Sequence, residues 1–466
     1  MFEAKIYQNR RKKLSEQVGQ GLILLLGNVD SPLNSADNCY RFRQDSSFLY
    51  FCGLDHPGLA ILLDTDTGEE MLFGHQQSLE DVIWSGVTPT LLEQAERVGI
   101  PVAESIDLLA DKLTAAISAG RTVHSLPTCR AENKISLCRL LNTPLPSIAK
   151  TVSPVLIKAV VALRSVKGTE EIAELDAAAD LGYQLHTTAM KMARSGIYEW
   201  EIAGEMEAIA ARAGRILSFP PIVTIHGETL HNHRRDHQLH EGDLLLVDCG
   251  VESLRHYASD QTRTIPVAGT FSSQQREIYQ VVLAAMERAR ELITPGISYR
   301  DVHLAACRTL ISGLHSLGLM TGDIDQAVEA GAHALFMPHG LGHQLGLDVH
   351  DMEDLGEDYV GYDDKIQRSD QFGLSRLRLG RELQENFVLT VEPGIYFIPK
   401  LIEQWQQENR HANYINYAKL TGYLDFGGIR LEDDILLTKT GNRLLGRPIP
   451  LQPDEVETCS GNKRKI

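Results

Sequence analysis

The run Asp243–Gly250, DLLLVDCG, sets an apolar stretch against an acid, and twelve residues after that acid a second one, Asp260, enters the extended segment YASDQTRTIPV. The intervening SLRH reads as a turn, so the two segments form a hairpin whose second strand returns beside the first. Alone, Asp248 reads equally well as a turn-capping residue. Two carboxylates brought together on one hairpin repel each other unless a proton or a cation lies between them, and this moves the reading toward a metal site. Any fold for the chain has to accommodate that pair.

A second stretch, Phe336–Asp351, reads FMPHGLGHQLGLDVHD and packs three histidines and three glycines into sixteen residues. His339, His343 and His350 are groups that titrate near neutral pH or bind metal, and an inert core segment rarely needs so many. His339 and His343 have the i, i+4 spacing of a helical zinc motif. The glutamate of HExxH is missing, however, and Gly340, Gly342 and Gly346 disfavour helix. A glycine-rich extended loop that lets the backbone approach closely is the better expectation. Two further acids, Glu392 in VLTVEPG and Glu432 in GGIRLEDD, are embedded in strand-like segments. There Thr390 and Glu392 oppose Leu389 and Val391, and Arg430 and Glu432 oppose Ile429 and Leu431. Each glutamate taken singly reads as part of a solvated strand face.

At 466 residues the chain exceeds the size at which one core stops growing. We expect an α/β N-terminal domain over 1–160, a second domain over 161–450 and a loosely held polar tail over 451–466 with a basic end, KRK. The junction Thr151–Ile172 reads as an apolar strand followed by a helix capped by Thr169 and opened by Glu170 and Glu171. Helical periodicity over Thr169–Arg194, Tyr198–Ala213, Ser273–Leu292 and Tyr299–Leu317, with strands from Pro221 and again toward the C-terminus, makes the second domain α+β. A formal net charge of −17 argues against a nucleic-acid partner, because phosphate contact requires a basic surface. GLILLLG (21–27) reads as a buried strand rather than a signal segment, and no apolar run reaches membrane-spanning length. Seven scattered cysteines without a CxxC pair fit a reduced, cytoplasmic setting.

Taken together these residues resemble a family. Asp248, Asp260 in SDQTRT, His343 in HGLGHQLGLDVHD, Glu392 in TVEPGIYF and Glu432 in GGIRLEDD stand in the order and context of the proline-specific metallopeptidases with the pita-bread fold, which include Xaa-Pro dipeptidase (prolidase) and aminopeptidase P. The resemblance covers essentially the whole second domain, and NCYRFRQDSSFLYFCGLDHPG (38–58) is similar to the family's non-catalytic domain. It implies an α+β pita-bread catalytic domain preceded by a smaller α/β domain. It also implies two divalent metal ions, one chelated by Asp248, the other by His343 and Glu392, with Asp260 and Glu432 bridging them. Four carboxylates and one imidazole are mainly hard oxygen donors, which suits Mn2+ and admits Co2+, Zn2+ or Fe2+. Such a pair holds a shared water and delivers it as hydroxide to a peptide carbonyl.

By the same resemblance Glu392 is a proton shuttle, and His231 (in ETLHNH), His339 and His350 orient the scissile carbonyl and stabilise the oxyanion. Arg430 lines the substrate pocket, and the assembly is a homodimer. The substrates implied are Xaa-Pro dipeptides or short proline-containing peptides, whose tertiary amide lacks an N–H. The insertion after VHD, with FGLSRLRLGREL, resembles prolidases more than aminopeptidases P, and Arg378 matches an arginine that clamps the dipeptide carboxylate. Arg368, Arg376 and Arg381 lie nearby and leave that assignment open. An Xaa-Pro aminopeptidase acting on longer peptides is the alternative, and a non-catalytic binding protein on the same scaffold a remote one. Two departures stand out: the interval from Asp248 to Asp260 is one residue longer than usual, predicting a bulge or longer turn, and the segment before His231 is shortened.

Overall fold

The structure, a computed structural model, describes residues 1–267 and 269–461; the basic end of the tail, Lys463 to Lys465, lies outside them. The chain divides into two compact units. Residues Met1–Arg164 with Met352–Tyr359 form the first, and Ser165–Asp351 with Val360–Ile466 the second.

In the first unit, helix α1 (Ala4–Val18) precedes a five-stranded mixed sheet of β1 (Leu22–Leu26), β2 (Ala60–Asp64), β3 (Glu70–Gly74), β4 (Val102–Ser105) and β5 (Val123–His124), in the order β4-β3-β2-β1-β5. The apolar runs read from the sequence become its buried central strands. One face packs Leu22, Leu24, Leu62, Met71 and Phe73 against Leu109 and Leu113. Arg11 is fully buried and stays satisfied by bonding Glu70 and the carbonyls of Phe51 and Val98.

Val155 to Arg164, expected as a strand, is instead helix α2 (Pro154–Ser165). Ser153 bonds the amide of Leu156, proline occupies the first helical position, and Leu156, Ile157, Val160, Val161 and Arg164 recur at helical spacing on the buried side. Its β-branched residues had disguised a 3.6-residue period as a continuous strand run. Helix α3 (Thr169–Met192) is capped by Gly168 rather than Thr169, because the Glu171 carboxylate accepts from the Gly168 amide at 2.9 Å.

The second unit adds α4 (Glu199–Arg212), α5 (Ser273–Leu292) and α6 (Tyr299–Ser316) around one large core. Strands β6 (Ile222–Thr224), β7 (Leu244–Asp248) and β8 (Thr262–Pro266) form an antiparallel sheet with β7 central. The expected β7–β8 hairpin pairs Thr262 with Asp248. Beyond the regular ladder Glu252 bridges Ala258 across a turn that puts His256 at φ 67°, and Gly250 runs so close to Ser259 that an added Cβ would lie 1.7 Å from its carbonyl oxygen.

The C-terminal strands differ from the expectation in one informative way. VLTVEPGIYF is not one strand but two, β9 (Val388–Val391) and β10 (Gly394–Tyr396), broken at Glu392-Pro393. GGIRLEDDILL likewise splits into β11 (Gly428–Arg430) and β12 (Asp433–Thr438), with Glu432 in the break and β13 (Gly441–Leu444) following. Pro393 has no N–H to continue a ladder. Residues 453–460, expected to be a loosely held tail, form helix α7 (Pro453–Ser460), whose Val456 is fully buried in the main core.

Where the second unit begins, Lys167 Nζ donates to Asp351 Oδ2 at 3.0 Å, both side chains only 1% exposed. Stripping one partner from such a pair leaves an uncompensated buried charge. Asp351→Ala should therefore lower unfolding free energy by about 3 kcal/mol in urea titration; a loss below about 1 kcal/mol would show that water reaches the lysine.

Candidate active site

The irregular stretch Leu341–Leu345 runs beside β9 as an improvised strand. Thr390 N donates to the His343 carbonyl, Leu345 N to Val388, and Glu392 N to Leu341 at 2.8 Å. The glycines make that approach feasible: a Cβ on Gly342 would lie 2.1 Å from the Thr390 carbonyl oxygen. On the other side of β9, β12 pairs Thr390 with Asp434 and Val391 with Asp433. Glu432 exchanges backbone bonds with Thr262, which joins this assembly to β8 and so to β7.

Asp248, Asp260, His343, Glu392 and Glu432 thus converge. Asp248, Asp260 and Glu432 offer oxygens within 4.8 Å of one another, and so do the donor atoms of His343, Glu392 and Glu432. His343 Nε2 lies 3.4 Å from Asp260 Oδ2 and 3.7 Å from Glu392 Oε1. Its Nδ1 donates to the Gln344 carbonyl at 3.0 Å, which leaves Nε2 as the nitrogen turned toward the acids. The His350 ring lies against that of His343, centroids 4.1 Å apart and planes tilted by 56°.

These carboxyls are crowded. Burial, with Asp248 and Asp434 adding repulsion, raises the pKa of Asp260 far above the carboxylate range. Burial and Asp260 do the same for Glu432, and burial also raises Glu392. Asp248 Oδ2 accepts from Arg430 Nη2 at 2.5 Å, while its buried Oδ1 has no partner. A cluster of acids that would need protons to coexist, with one orphaned oxygen and one imidazole nitrogen turned inward, fits divalent cations well.

Around this centre runs a chain of hydrogen bonds. Arg430 Nη1 donates to Tyr396 Oη at 2.9 Å, Tyr396 faces His339 Nε2 at 2.9 Å, and His339 Nδ1 donates to the Gly340 carbonyl at 2.7 Å. His339 is pushed down to about 3 by burial and the nearby Arg430 charge, and His350 to about 2 by burial and His343. Both imidazoles are neutral. His231 sits at the exposed rim, its pKa lowered by partial desolvation and Arg430. Arg378 is half-buried and its charge reaches His231, His339, His350 and Glu392.

Residues 173–439 match the model for Metallopeptidase family M24, and residues 7–124 match that for Aminopeptidase P, N-terminal domain. The chain belongs to metallopeptidase family M24. Membership implies divalent metal ions and a pita-bread catalytic domain behind the N-terminal one. Among relatives, this M24 chain is 32% identical to an Xaa-Pro aminopeptidase from Escherichia coli, covering 98% of both chains. It is 30% identical to the human Xaa-Pro dipeptidase, over 98% of this chain and 91% of that one. Among solved structures it superimposes with a TM-score of 0.81 and 30% identity on E. coli aminopeptidase P in complex with substrate, covering 100% of both. A proline aminopeptidase P II from Yersinia pestis matches equally, at 99% and 100% coverage.

Several supporting residues were not singled out from the sequence. Tyr396 connects Arg430 to His339, and Thr262 Oγ1 donates to Glu432 Oε2 at 2.7 Å. Asp434 accepts from the Asp260 amide. Glu199, fully buried, holds the loop bearing His231 by accepting from the amides of Ile225 and His237. Tyr396 in TVEPGIYF, Thr262 in SDQTRT and Asp434 in GGIRLEDD all lay inside motifs read from the sequence, whereas Glu199 lay in none.

Because the acids repel without a cation, saturating divalent ion should stabilise this M24 peptidase by about 2.7 kcal/mol at a hundredfold excess over Kd. Calorimetry with Mn2+ against EDTA measures it, and Asp260→Asn should remove most of the gain. Identical midpoints with and without ion would mean that the carboxyls share protons instead.

Proposed function

We propose that the protein is an Xaa-Pro dipeptidase that uses two divalent cations, most suitably Mn2+. In this reading Asp248 would hold one ion and His343 and Glu392 the other, with Asp260 and Glu432 serving both. The observation that carries it is the convergence of four carboxylates and the Nε2 of one imidazole on a common point. A bound pair of such ions supplies Lewis acidity and makes water acidic enough to ionise near neutral pH.

The chain's own residues supply the rest. Glu392 turns Oε1 toward His343 and Oε2 toward His339, 3.8 Å from its Nδ1. One carboxylate can therefore hold the ion's side of the site and still move a proton to the proline nitrogen, which leaves as an amine and has no proton of its own. His350, which is neutral, and His231 at the rim can donate to the developing negative charge of the scissile carbonyl, while His339, its one N–H committed to the Gly340 carbonyl and its Nε2 to Tyr396, helps to orient that carbonyl. Arg430 holds Asp248 and lines the pocket.

Substrate length rests on Arg378. Of the four arginines in its neighbourhood, Arg368 covers the Tyr362 ring and bonds the Ser375 carbonyl, Arg381 lies over Phe387, and Arg376 is exposed. Of these four, Arg378 is the one whose charge acts on Glu392 and the three histidines among their leading influences. A guanidinium beside the scissile bond favours a substrate that ends at proline, with a free carboxylate for its fork. The second reading is an Xaa-Pro aminopeptidase, favoured by the names of the E. coli relative and of the aligned structures. The proposal extends to a cytoplasmic homodimer; that every cysteine is free accords with a reducing compartment.

Offered an Xaa-Pro dipeptide and the corresponding Xaa-Pro-Xaa tripeptide, the enzyme should prefer the dipeptide. Arg378→Ala should lower dipeptide kcat/KM by about 10- to 100-fold, chiefly through KM, with metal content unchanged. Faster tripeptide cleavage with an indifferent Arg378→Ala would establish the aminopeptidase reading instead.

A further inference from the structure

Away from the carboxylate centre, the second unit buries another set of ligand-type side chains. His303 and Cys307 are one helical turn apart on the same face of α6, and His333 reaches them from the short turn Ala332–Leu335. His303 and Cys307 are 0% exposed and His333 1%. One donor atom from each lies within 4.8 Å of the others, and the imidazole rings of His303 and His333 stand 6.0 Å apart at 72°. Cys307 Sγ is 3.5 Å from His303 Nε2. Nitrogen and sulfur bound to one transition-metal ion at about 2.0 and 2.3 Å, with angles of about 109–120°, sit ~3.5–3.7 Å apart.

His333 supplies an independent observation. Neither of its ring nitrogens has a hydrogen-bond partner. Native cores avoid such orphaned buried polar atoms unless something absent from the contact list satisfies them. A neutral imidazole with both nitrogens unpaired, turned toward a thiol and a second imidazole, is a ligand set with a free donor.

The donor set limits the ion. One sulfur and two imidazole nitrogens, without a carboxylate, exclude the hard cations that suit the acid cluster. Structural zinc takes four protein ligands, whereas three donors are present here. Charge decides further: a thiolate with two neutral imidazoles around a monovalent ion is neutral overall, while a divalent ion would leave a net charge in an apolar core, which is costly. Soft, low-coordinate copper(I) meets all three conditions. We infer that His303, Cys307 and His333 form a second, buried metal site, distinct from the carboxylate centre, that binds one copper(I) ion. On binding, the Cys307 S–H proton passes to solvent, sulfur and two nitrogens bond the ion, and no electron is transferred. Burial pushes the free thiol up, so the site stays protonated until the ion arrives.

The test uses the whole protein, refolded anaerobically with copper(I) and then challenged with a chromophoric copper(I) chelator. About one equivalent per chain should resist the chelator. Cys307→Ser and His333→Gln should each lower retention at least tenfold while keeping the native circular dichroism spectrum. Asp260→Asn, which removes a carboxylate from the other centre, should retain the copper, as should the exposed-cysteine control Cys39→Ser. X-ray absorption of the retained ion should show one sulfur and two nitrogen neighbours. No chelator-resistant copper in the refolded wild type, or copper kept by Cys307→Ser, would overturn the proposal. So would selective uptake of Co2+, with a thiolate charge-transfer band lost in Cys307→Ser, because the ion would then be divalent. Dipeptide hydrolysis plays no part in these readouts, so they stand or fall separately from the peptidase reading.

Discussion

Four carboxylates held around one point, three of them buried, form the constraint on which the second unit is built. Left to themselves Asp248, Asp260, Glu392 and Glu432 would repel, and burial makes each charge harder to sustain. The fold answers with Arg430, whose guanidinium grips Asp248 and which stays charged although burial opposes it, because Tyr396, Asp248, Glu392 and Glu432 outweigh that penalty. One guanidinium in contact does not neutralise four acids. The raised pKa values of Asp260 and Glu432 measure the remaining deficit, and divalent ions are the chemical species that closes it.

What holds the acids in place is backbone rather than side chain. The site is a cross-section through adjoining extended segments: the histidine loop, β9, the Glu432 break, β8 and β7, linked laterally by the His343–Thr390, Thr390–Asp434, Glu432–Thr262 and Thr262–Asp248 pairings. Neighbouring strands are about 4.8 Å apart. Side chains projecting from the same side of successive strands therefore arrive at spacings that chelation requires, without any long or strained reach. The positions scattered most widely in the chain become nearest neighbours because each lies one strand over from the next.

That cross-section was partly legible in the sequence. The hairpin could be read because a run of leucines ended on an acid and a second extended run followed a polar turn. The histidine loop could be read because three glycines argue against helix. Alternation placed Thr390 and Glu392 on one side, and both point into the site, Thr390 Oγ1 accepting from the His343 amide. Less visible was that Glu392 and Glu432 occupy strand breaks, since alternation continues through Pro393 while the hydrogen bonds change partner. The β-branched helix α2 was misread for the converse reason: packing, not propensity, decided it. Lys167 and Glu199 were illegible because each acts on residues far away in sequence, and nothing local distinguishes a buried, partnered charge from a solvated one.

The breaks themselves carry a physical consequence. In an uninterrupted strand Glu392 would have its amide committed to one flanking ladder, and the sheet would continue past it. The Glu392 amide stays with Leu341, continuing the ladder of Thr390 with His343, while on the opposite flank pairing passes from Asp433 to Leu431, whose amide donates to the Pro393 carbonyl. The chain then pairs β10 with β11 as a separate ribbon. That change of partner leaves the side chain of Glu392 partly exposed between two small sheets, with Glu432 buried behind it. A residue buried under a continuous sheet could bind an ion but not meet a peptide. Glu392, 19% exposed at this opening, has one oxygen toward the interior and the other toward His339, and a single proline supplies the backbone freedom for both.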